Sequence, residues 1–192
     1  MERPEPPPIE LADAIRSAWR TNHRATVLLV ESVPAAAWAA PAPGLPRKSI
    51  RLIAAHLHNS RCSWLRTLGG PHGIPVPARV DKRAVTPKRL AAALDRSGRA
   101  MEELLAFGAR HGGRIPPTRV YVWRNLPLDI AHVLAYFVAH EAHHRGQILV
   151  LARQMGCPLP DAAVDGVWHF TRLSKEKSGS DRRIGRRLRQ KS

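Results

Sequence analysis

Four long stretches of helical periodicity, separated by proline- and glycine-rich connectors, constrain most strongly what this 192-residue chain can fold into. In the first stretch, residues 9–33, apolar side chains recur mostly at the three- and four-residue steps of one helical face; they are Leu11, Ile15, Trp19, Val27 and Val30. The only β-rich run, RVYVW at residues 119–123, is short and follows two prolines. The chain is therefore predicted to be all-α.

Capping residues predict where the other long helices begin and end. Ser49 is an N-cap residue for a second helix that stops at a Gly-Gly pair. Thr86 followed by Pro87 is a cap and first-turn pair for a third helix. Gly156 is the expected C-terminal stop of a fourth. The second, third and fourth helices are predicted to span residues 50–68, 88–110 and 127–155.

These segments predict an up-and-down four-helix bundle with a short extra C-terminal helix around residues 161–173. The prolines at residues 6–8 predict an extended arm over residues 1–8. The bundle domain is expected to cover residues 9–172. Residues 173–192 are expected to form a separate basic tail.

The charge of the chain is uneven, because the run from Arg172 onward carries nine Lys/Arg against two acids, out of a net +16. This run contains no aromatic residue, and aromatic stacking usually accompanies single-strand binding. A disordered, solvated tail is the simplest interpretation. Weak, salt-sensitive contact with nucleic acid is the alternative.

The two cysteines, Cys62 and Cys157, lie far apart and form no C-x-x-C motif, which argues against a zinc ribbon or a thioredoxin-like redox centre. A reducing cytoplasm is the simplest compartment. The first residues are acidic and proline-rich, unlike a signal peptide. No apolar run approaches ~18 residues, so no membrane span is expected.

The octapeptide HEAHHRGQ at residues 140–147 carries the candidate chemistry. His140, Glu141 and His144 match the H-E-x-x-H signature of zinc peptidases. His140 and His144 alone also form a plain metal-binding pair, since residues four apart share one helical face. Helix four is otherwise apolar, and buried imidazoles need partners.

Two imidazoles rarely suffice to hold an ion, so a third ligand is expected from another element. The second helix offers His56 and His58, about 200° apart on the helical wheel. His56 is favoured because it lies beside the stripe of Ile53, Leu57, Ser60 and Trp64, which marks the inward face of the helix, with His58 as the alternative. His132 and His143 are expected to be exposed or satisfied by other partners. The other histidines that could supply the third ligand are His23, His72, His111, His132 and His169.

The blocks HLHNSRCSWL and HEAHHRGQILVLARQMG, with their spacing and helix order, resemble the DinB-like (damage-inducible, YfiT-like) superfamily of metal-dependent enzymes. The resemblance covers most of residues 9–170. The block H-x-x-x-H-R-G-Q is its more specific part, and the spacing from His56 to Trp64 is weaker. In that family one histidine of helix two joins two of helix four, which implies His56, His140 and His144 as ligands.

The resemblance implies one divalent ion, zinc or nickel above all, and a small-molecule substrate. It leaves two reactions open, hydrolysis and transfer of a low-molecular-weight thiol, with the metal activating water or the thiol cosubstrate. A non-catalytic metal-binding bundle whose basic tail contacts nucleic acid is the alternative from another class. Related bundles often pair, so a homodimer is a further expectation.

A zinc peptidase is the lesser alternative. Metzincins continue the motif with glycine three residues after the second histidine, whereas this chain has Gln147 there. Such enzymes also bind substrate along a sheet edge, which this chain is not expected to possess. Glu141 is a candidate general base at the rim of the site, although a solvated or salt-bridged side chain is the commoner role.

Several neighbours of the histidines are expected near the ion. Tyr136 is a candidate catalytic residue that holds a substrate oxygen, or else a core tyrosine. Gln147 is expected to orient a ligand imidazole, and Arg145 to form a salt bridge or attract an anion. Residues of helix two expected to support the ligands or line the pocket are Asn59, Ser60 and Trp64.

Overall fold

The computed structural model describes residues 8–119 and 125–175, and in these ranges every regular element is helical apart from two isolated β-bridges. The helices are α1 (Leu11–Glu31), α2 (Ala35–Trp38), α3 (Ile50–Trp64), α4 (Pro87–Arg110), α5 (Ile130–Gln154), α6 (Asp161–Gly166) and α7 (Phe170–Lys175). A π-helical turn, Leu65–Gly69, and a 3₁₀ turn, Gly70–His72, continue α3.

The predicted caps are present, and one helix start is corrected. Ser49 accepts the backbone N–H of Leu52 and Thr86 accepts that of Arg89, as N-cap side chains do. Helix α5 begins at Ile130 rather than at residue 127. The reason is Asp129, whose carboxylate accepts the N–H of His132 at 2.9 Å and fixes the first turn.

The four long helices pack on one another around two groups of buried side chains. Helix α1 contacts α4 and α5, and α3 also contacts both. Trp19, Leu57, Leu94 and Phe137 are each at most 1% exposed. Burying an apolar side chain of this size stabilises the fold by about 1.5–3 kcal/mol. The up-and-down order of the bundle stays a prediction.

The smaller elements refine the expected ends of the domain. The C-terminal helix is split in two, because a bend at residues 167–169 separates α6 from α7. Helix α7 reaches Lys175 and buries Leu173, so residues 173–175 are helical. The connector after α1 contains the one-turn helix α2. Most of the N-terminal arm, of RVYVW and of the basic tail lies outside the described residues.

None of the helices in the described ranges is both long enough and apolar enough to cross a bilayer.

Candidate metal centre

Three histidine side chains from α3 and α5 converge on one point. His56, His140 and His144 each offer a ring nitrogen, and these atoms all lie within 4.8 Å of one another. The Nε2 atoms of His56 and His140 are 3.2 Å apart. Two nitrogens bound to one tetrahedral zinc ion at its usual bond length are separated by about 3.3 Å. The spacing of His56 and His140 therefore suits a shared divalent ion, and His144 lies close enough to be the third ligand.

Gln147 sets the orientation of the His144 ring. Its Oε1 lies 2.8 Å from His144 Nδ1, and its Nε2 lies 3.1 Å from His143 Nε2. With the amide in this orientation, the Nδ1–H group of His144 donates to Gln147 Oε1. The Nε2 atom of His144 then keeps its lone pair for an ion. A side chain that holds the second ring nitrogen in this way commonly supports a metal-binding histidine.

The rings of His140 and His56 also suit the role of metal ligands. Burial, reinforced by the neighbouring His144 and His56 rings, lowers the pKa of His140 to about 4. His140 is therefore neutral near pH 7, as a ligand must be. The Ser60 hydroxyl lies 3.2 Å from His56 Nε2. His56 is exposed and the other two are half-buried, so the cluster is open to solvent.

An aromatic wall borders the cluster on the His140 side. The Tyr136 ring stacks on the His140 ring, with centroids 5.8 Å apart and planes 19° apart. Trp64 meets the Tyr136 ring edge-on at 5.4 Å. Both residues are half-buried. A small molecule at the histidines would thus have aromatic side chains beside it on this side.

Glu141 does not lie at the rim of the site, because its side chain is buried in the core with 0% of the residue exposed. Its carboxylate accepts two hydrogen bonds from Arg61, at 2.7 and 2.8 Å. Asn22 and Thr26 each donate to it at 2.9 Å. Burial alone would raise the pKa of Glu141, but the charge and hydrogen bonds of Arg61 hold it below the usual value.

The cluster around Glu141 joins four helices. Arg61 Nη1 lies 3.1 Å from His23 Nδ1 and 3.2 Å from the Leu94 carbonyl, and the guanidinium packs over the Trp19 ring. Arg145 donates to Asn22 and Thr26 at 2.9 and 2.8 Å, which identifies it as a structural residue.

Arg61, Asn22 and Thr26 were not among the predicted residues. A signal for Arg61 existed, since it lies one turn after Leu57 and two turns after Ala54, on the buried face of α3. That face differs from the expected stripe, because Ile53, Ser60 and Trp64 are only half-buried. His56 is exposed and meets the pair of histidines on α5 at the surface rather than in the core.

His58 and Asn59 form hydrogen bonds with the loop before α4 rather than with the histidine cluster. His58 is 0% exposed, and its Nε2 donates to the Ala78 carbonyl at 3.0 Å. Asn59 Nδ2 donates to the Val80 carbonyl at 3.1 Å, and the Val80 N–H donates to Asn59 Oδ1 at 2.9 Å. Asn59 therefore supports the chain before α4 rather than a ligand ring.

The remaining histidines have other surroundings. His23 pairs with Asp95 at 3.1 Å, and His132 pairs with Asp129 at the start of α5. His72 and His111 pack on Phe107, and His169 is exposed. Within the described residues, the only group of three or more metal-ligating side chains is the His56, His140, His144 cluster.

The family model described as "DinB family" matches residues 11–172, which is most of the chain. No curated protein matches the sequence.

Proposed function

The chain belongs to the DinB family, and we propose that it binds one divalent metal ion through His56, His140 and His144 and acts on a small molecule there. The observation that carries this proposal is the convergence of three imidazole nitrogens from two helices. The hydrogen bond from His144 to Gln147 supports it, because it fixes the tautomer that a ligand requires.

The donor set favours a particular class of ion. Three neutral imidazoles suit zinc, nickel, copper or iron(II), whereas magnesium and calcium prefer oxygen donors. Zinc and nickel are the proposed occupants. Three protein ligands also leave a position open, as in catalytic rather than structural zinc sites.

When bound, such an ion supplies a Lewis acid that lowers the pKa of a water molecule or a thiol. The protein's own residues then position the small molecule. Trp64 and Tyr136 offer an apolar surface beside His140, and the Tyr136 hydroxyl is the proposed hydrogen-bonding partner of a substrate oxygen. The Ser60 hydroxyl lies beside the His56 ring, 3.2 Å from Nε2.

A thiol used here would arrive as a cosubstrate. Cys62 is fully buried against His58, with Sγ 3.3 Å from Nε2. Burial raises the pKa of the Cys62 thiol, despite the nearby positive charges of Arg79, Arg61 and Arg66. This cysteine is therefore a poor nucleophile near neutral pH.

The geometry does not support a peptidase. In an H-E-x-x-H peptidase the glutamate serves as the general base of the zinc centre. Here the Glu141 carboxylate is occupied by Arg61, Asn22 and Thr26. No strand that could pair with an extended substrate occurs in residues 8–119 and 125–175.

Metal stoichiometry tests the proposal directly. The full chain, stripped with a chelator and titrated with zinc or nickel, is expected to bind one ion with all three histidines present. The triple variant His56→Ala, His140→Ala, His144→Ala is expected to bind none at this site. His132→Ala, which alters an exposed histidine of the same helix α5, is the matched control and should bind one ion. Full stoichiometry in the triple variant would refute the proposal.

A further inference from the structure

We propose that a basic groove between α4 and the loop that precedes it binds the phosphate backbone of a nucleic-acid duplex. The described residues that line this groove include no residue of α5 and none of the three histidines of the metal site. The inference therefore goes beyond the function proposed above. The groove also lies on the helix bundle rather than on the basic tail, for which sequence alone offers weak nucleic-acid contact as one interpretation.

The groove consists of two cavities that follow one another along α4. Their volumes are about 350 and 310 Å³. Arg96 lines both cavities, so they lie on either side of its side chain. Arg89 and Asp81 are the other charged residues of the first cavity, and Arg99 and Glu103 are those of the second. The remaining lining residues are alanine, valine or proline, so the charged side chains decide what binds here.

The cations of the groove form a row on one face of α4. Arg89, Arg96 and Arg99 follow one another at steps of seven and three residues, which keeps them on the same side of a helix. All three are exposed. At the usual rise of an α-helix the row extends over about 15 Å. A linear ligand with repeated negative charges fits such a row better than a single small anion does.

The opposite wall of the groove is a loop that the core holds in place. The buried His58 ring joins the two walls, because its Nδ1 lies 3.0 Å from Ser97 Oγ on α4 and its Nε2 lies 3.0 Å from the Ala78 carbonyl. The Trp38 indole N–H donates to the Val85 carbonyl at 2.9 Å. The two walls are thus held at a fixed separation, and a ligand can bind without rearranging the backbone.

Most of both walls belongs to a segment with a large excess of positive charge. Residues 79–99 contain seven Lys/Arg against two acids, which is +5 of the net +16 of the chain. Of these acids, Asp95 pairs with a histidine of α1, and Asp81 accepts a backbone N–H at 2.8 Å. Within the described ranges, no carboxylate forms an ion pair with Arg89 or Arg96. The groove therefore keeps positive charge that phosphates can neutralise.

The other side chains of the segment favour a duplex as the partner. Residues 75–103 contain no Phe, Tyr or Trp, whereas single-strand binding usually relies on stacking against such rings. None of the large apolar side chains that are exposed in the described part of the chain lies here, so the segment has no apolar anchor for a lipid surface. Contact limited to phosphates is independent of base sequence, and a duplex presents regular rows of phosphates.

The salt dependence of duplex binding tests the inference. The full chain is titrated into a fluorescently labelled DNA duplex of about 20 base pairs at salt concentrations from about 50 to 200 mM. The logarithm of the association constant should fall linearly with the logarithm of the salt concentration. Arg89→Gln with Arg96→Gln removes two phosphate contacts, so this variant should bind more weakly and the slope should become less steep by about 1.8.

A second pair of exposed arginines controls for net charge. Arg110→Gln with Arg153→Gln removes the same charge from the end of α4 and from α5, outside the groove. The slope of this control variant should equal that of the unaltered chain. Both variants are checked for folding by circular dichroism.

Several outcomes would overturn the inference. One is a full chain that does not bind the duplex at the lowest salt concentration. Another is an equal change of slope in both variants, which would show an effect of net charge alone. An unchanged slope in Arg89→Gln with Arg96→Gln would assign the binding to another surface, such as the basic tail.

Two further probes distinguish the duplex from other polyanions. A labelled single strand of the same length should bind more weakly than the duplex, and equal affinity would overturn the assignment to a duplex. Vesicles of equal parts phosphatidylcholine and phosphatidylserine should not compete with the duplex. Vesicles that do compete, and whose binding is weakened by Arg89→Gln with Arg96→Gln, would assign the groove to a lipid surface instead.

Discussion

At the scale of single residues, Glu141 is the side chain whose role depends most on its surroundings. The same glutamate that completes a peptidase signature is the counter-charge of Arg61 inside the helix bundle. Both side chains are at most 1% exposed. An ion pair of this kind is costly to break, because removing one partner leaves an uncompensated charge without water.

Replacing Arg61 is therefore expected to destabilise the protein strongly. Arg61→Ala should lower the free energy of unfolding by about 3–5 kcal/mol, measured by urea denaturation. Arg66→Ala, which removes an exposed arginine just after α3, is the control and should change it by less than about 0.5 kcal/mol. A second variant, Arg61→Met with Glu141→Leu, should recover part of the loss, because neither member of the pair is then left without the other in the core, and only Arg145 loses a carboxylate 3.9 Å away. Equal stability of Arg61→Ala and Arg66→Ala would contradict this account.

At the scale of the element, α5 organises the site, because it carries two of the three histidines together with Gln147 and Glu141. Its sequence is nearly apolar on several sides, so amphipathic periodicity defines its start poorly. The start is set instead by Asp129, whose carboxylate accepts the N–H of His132 and also faces the His132 ring. This cap fixes Ile130 as the first residue of α5. The positions of His140 and His144 along the helix follow from that start.

The cap is expected to stabilise the helix in a pH-dependent way. Asp129→Ala should cost about 1 kcal/mol near pH 5, measured by urea denaturation. The backbone hydrogen bond from His132 lowers the pKa of Asp129 in the folded protein. The stabilisation is therefore complete above the unfolded pKa, about 3.9, and disappears as the pH falls through the lower folded value.

The difference in stability between wild type and Asp129→Ala should therefore shrink between about pH 4 and pH 2. Asp161→Ala, an exposed acid in the first turn of α6 with no side-chain cap, provides a comparison. A difference that stays constant down to pH 2 would show that the Asp129 carboxylate does not act as the cap.

At the scale of the whole molecule, two separate sets of polar contacts hold the long helices together. The buried cluster around Glu141 ties α1, α3, α4 and α5 in the core. The histidine cluster ties α3 to α5 at the surface. Because only the second set would bind an ion, metal binding should stabilise the folded chain without rearranging its core.

Zinc is expected to raise the thermal unfolding midpoint. At a free concentration of about 100 times the dissociation constant, binding adds about 2.7 kcal/mol. For a domain of this size that is a rise of about 5–10 °C, measured by circular dichroism. The rise should vanish with excess chelator. The triple histidine variant should show no rise, and an equal rise in that variant would place the ion elsewhere.

Sequence by itself determined what depends on neighbouring residues: the all-α class, the capped starts of α3 and α4, and the pair formed by His140 and His144. These follow from helix periodicity and from side chains that reach their own backbone. The resemblance to the DinB-like superfamily, which the family match confirms, added a further prediction. It indicated that a histidine on α3 joins this pair.

Only the tertiary structure decided which polar side chains are buried and what they contact. His56 and His58 lie two residues apart with similar sequence surroundings, yet one meets the α5 pair, whereas the other is buried and donates to the Ala78 carbonyl. Glu141 is buried because Arg61, 80 positions earlier, faces it across the bundle. Such contacts depend on the relative rotation of packed helices, which local periodicity does not specify.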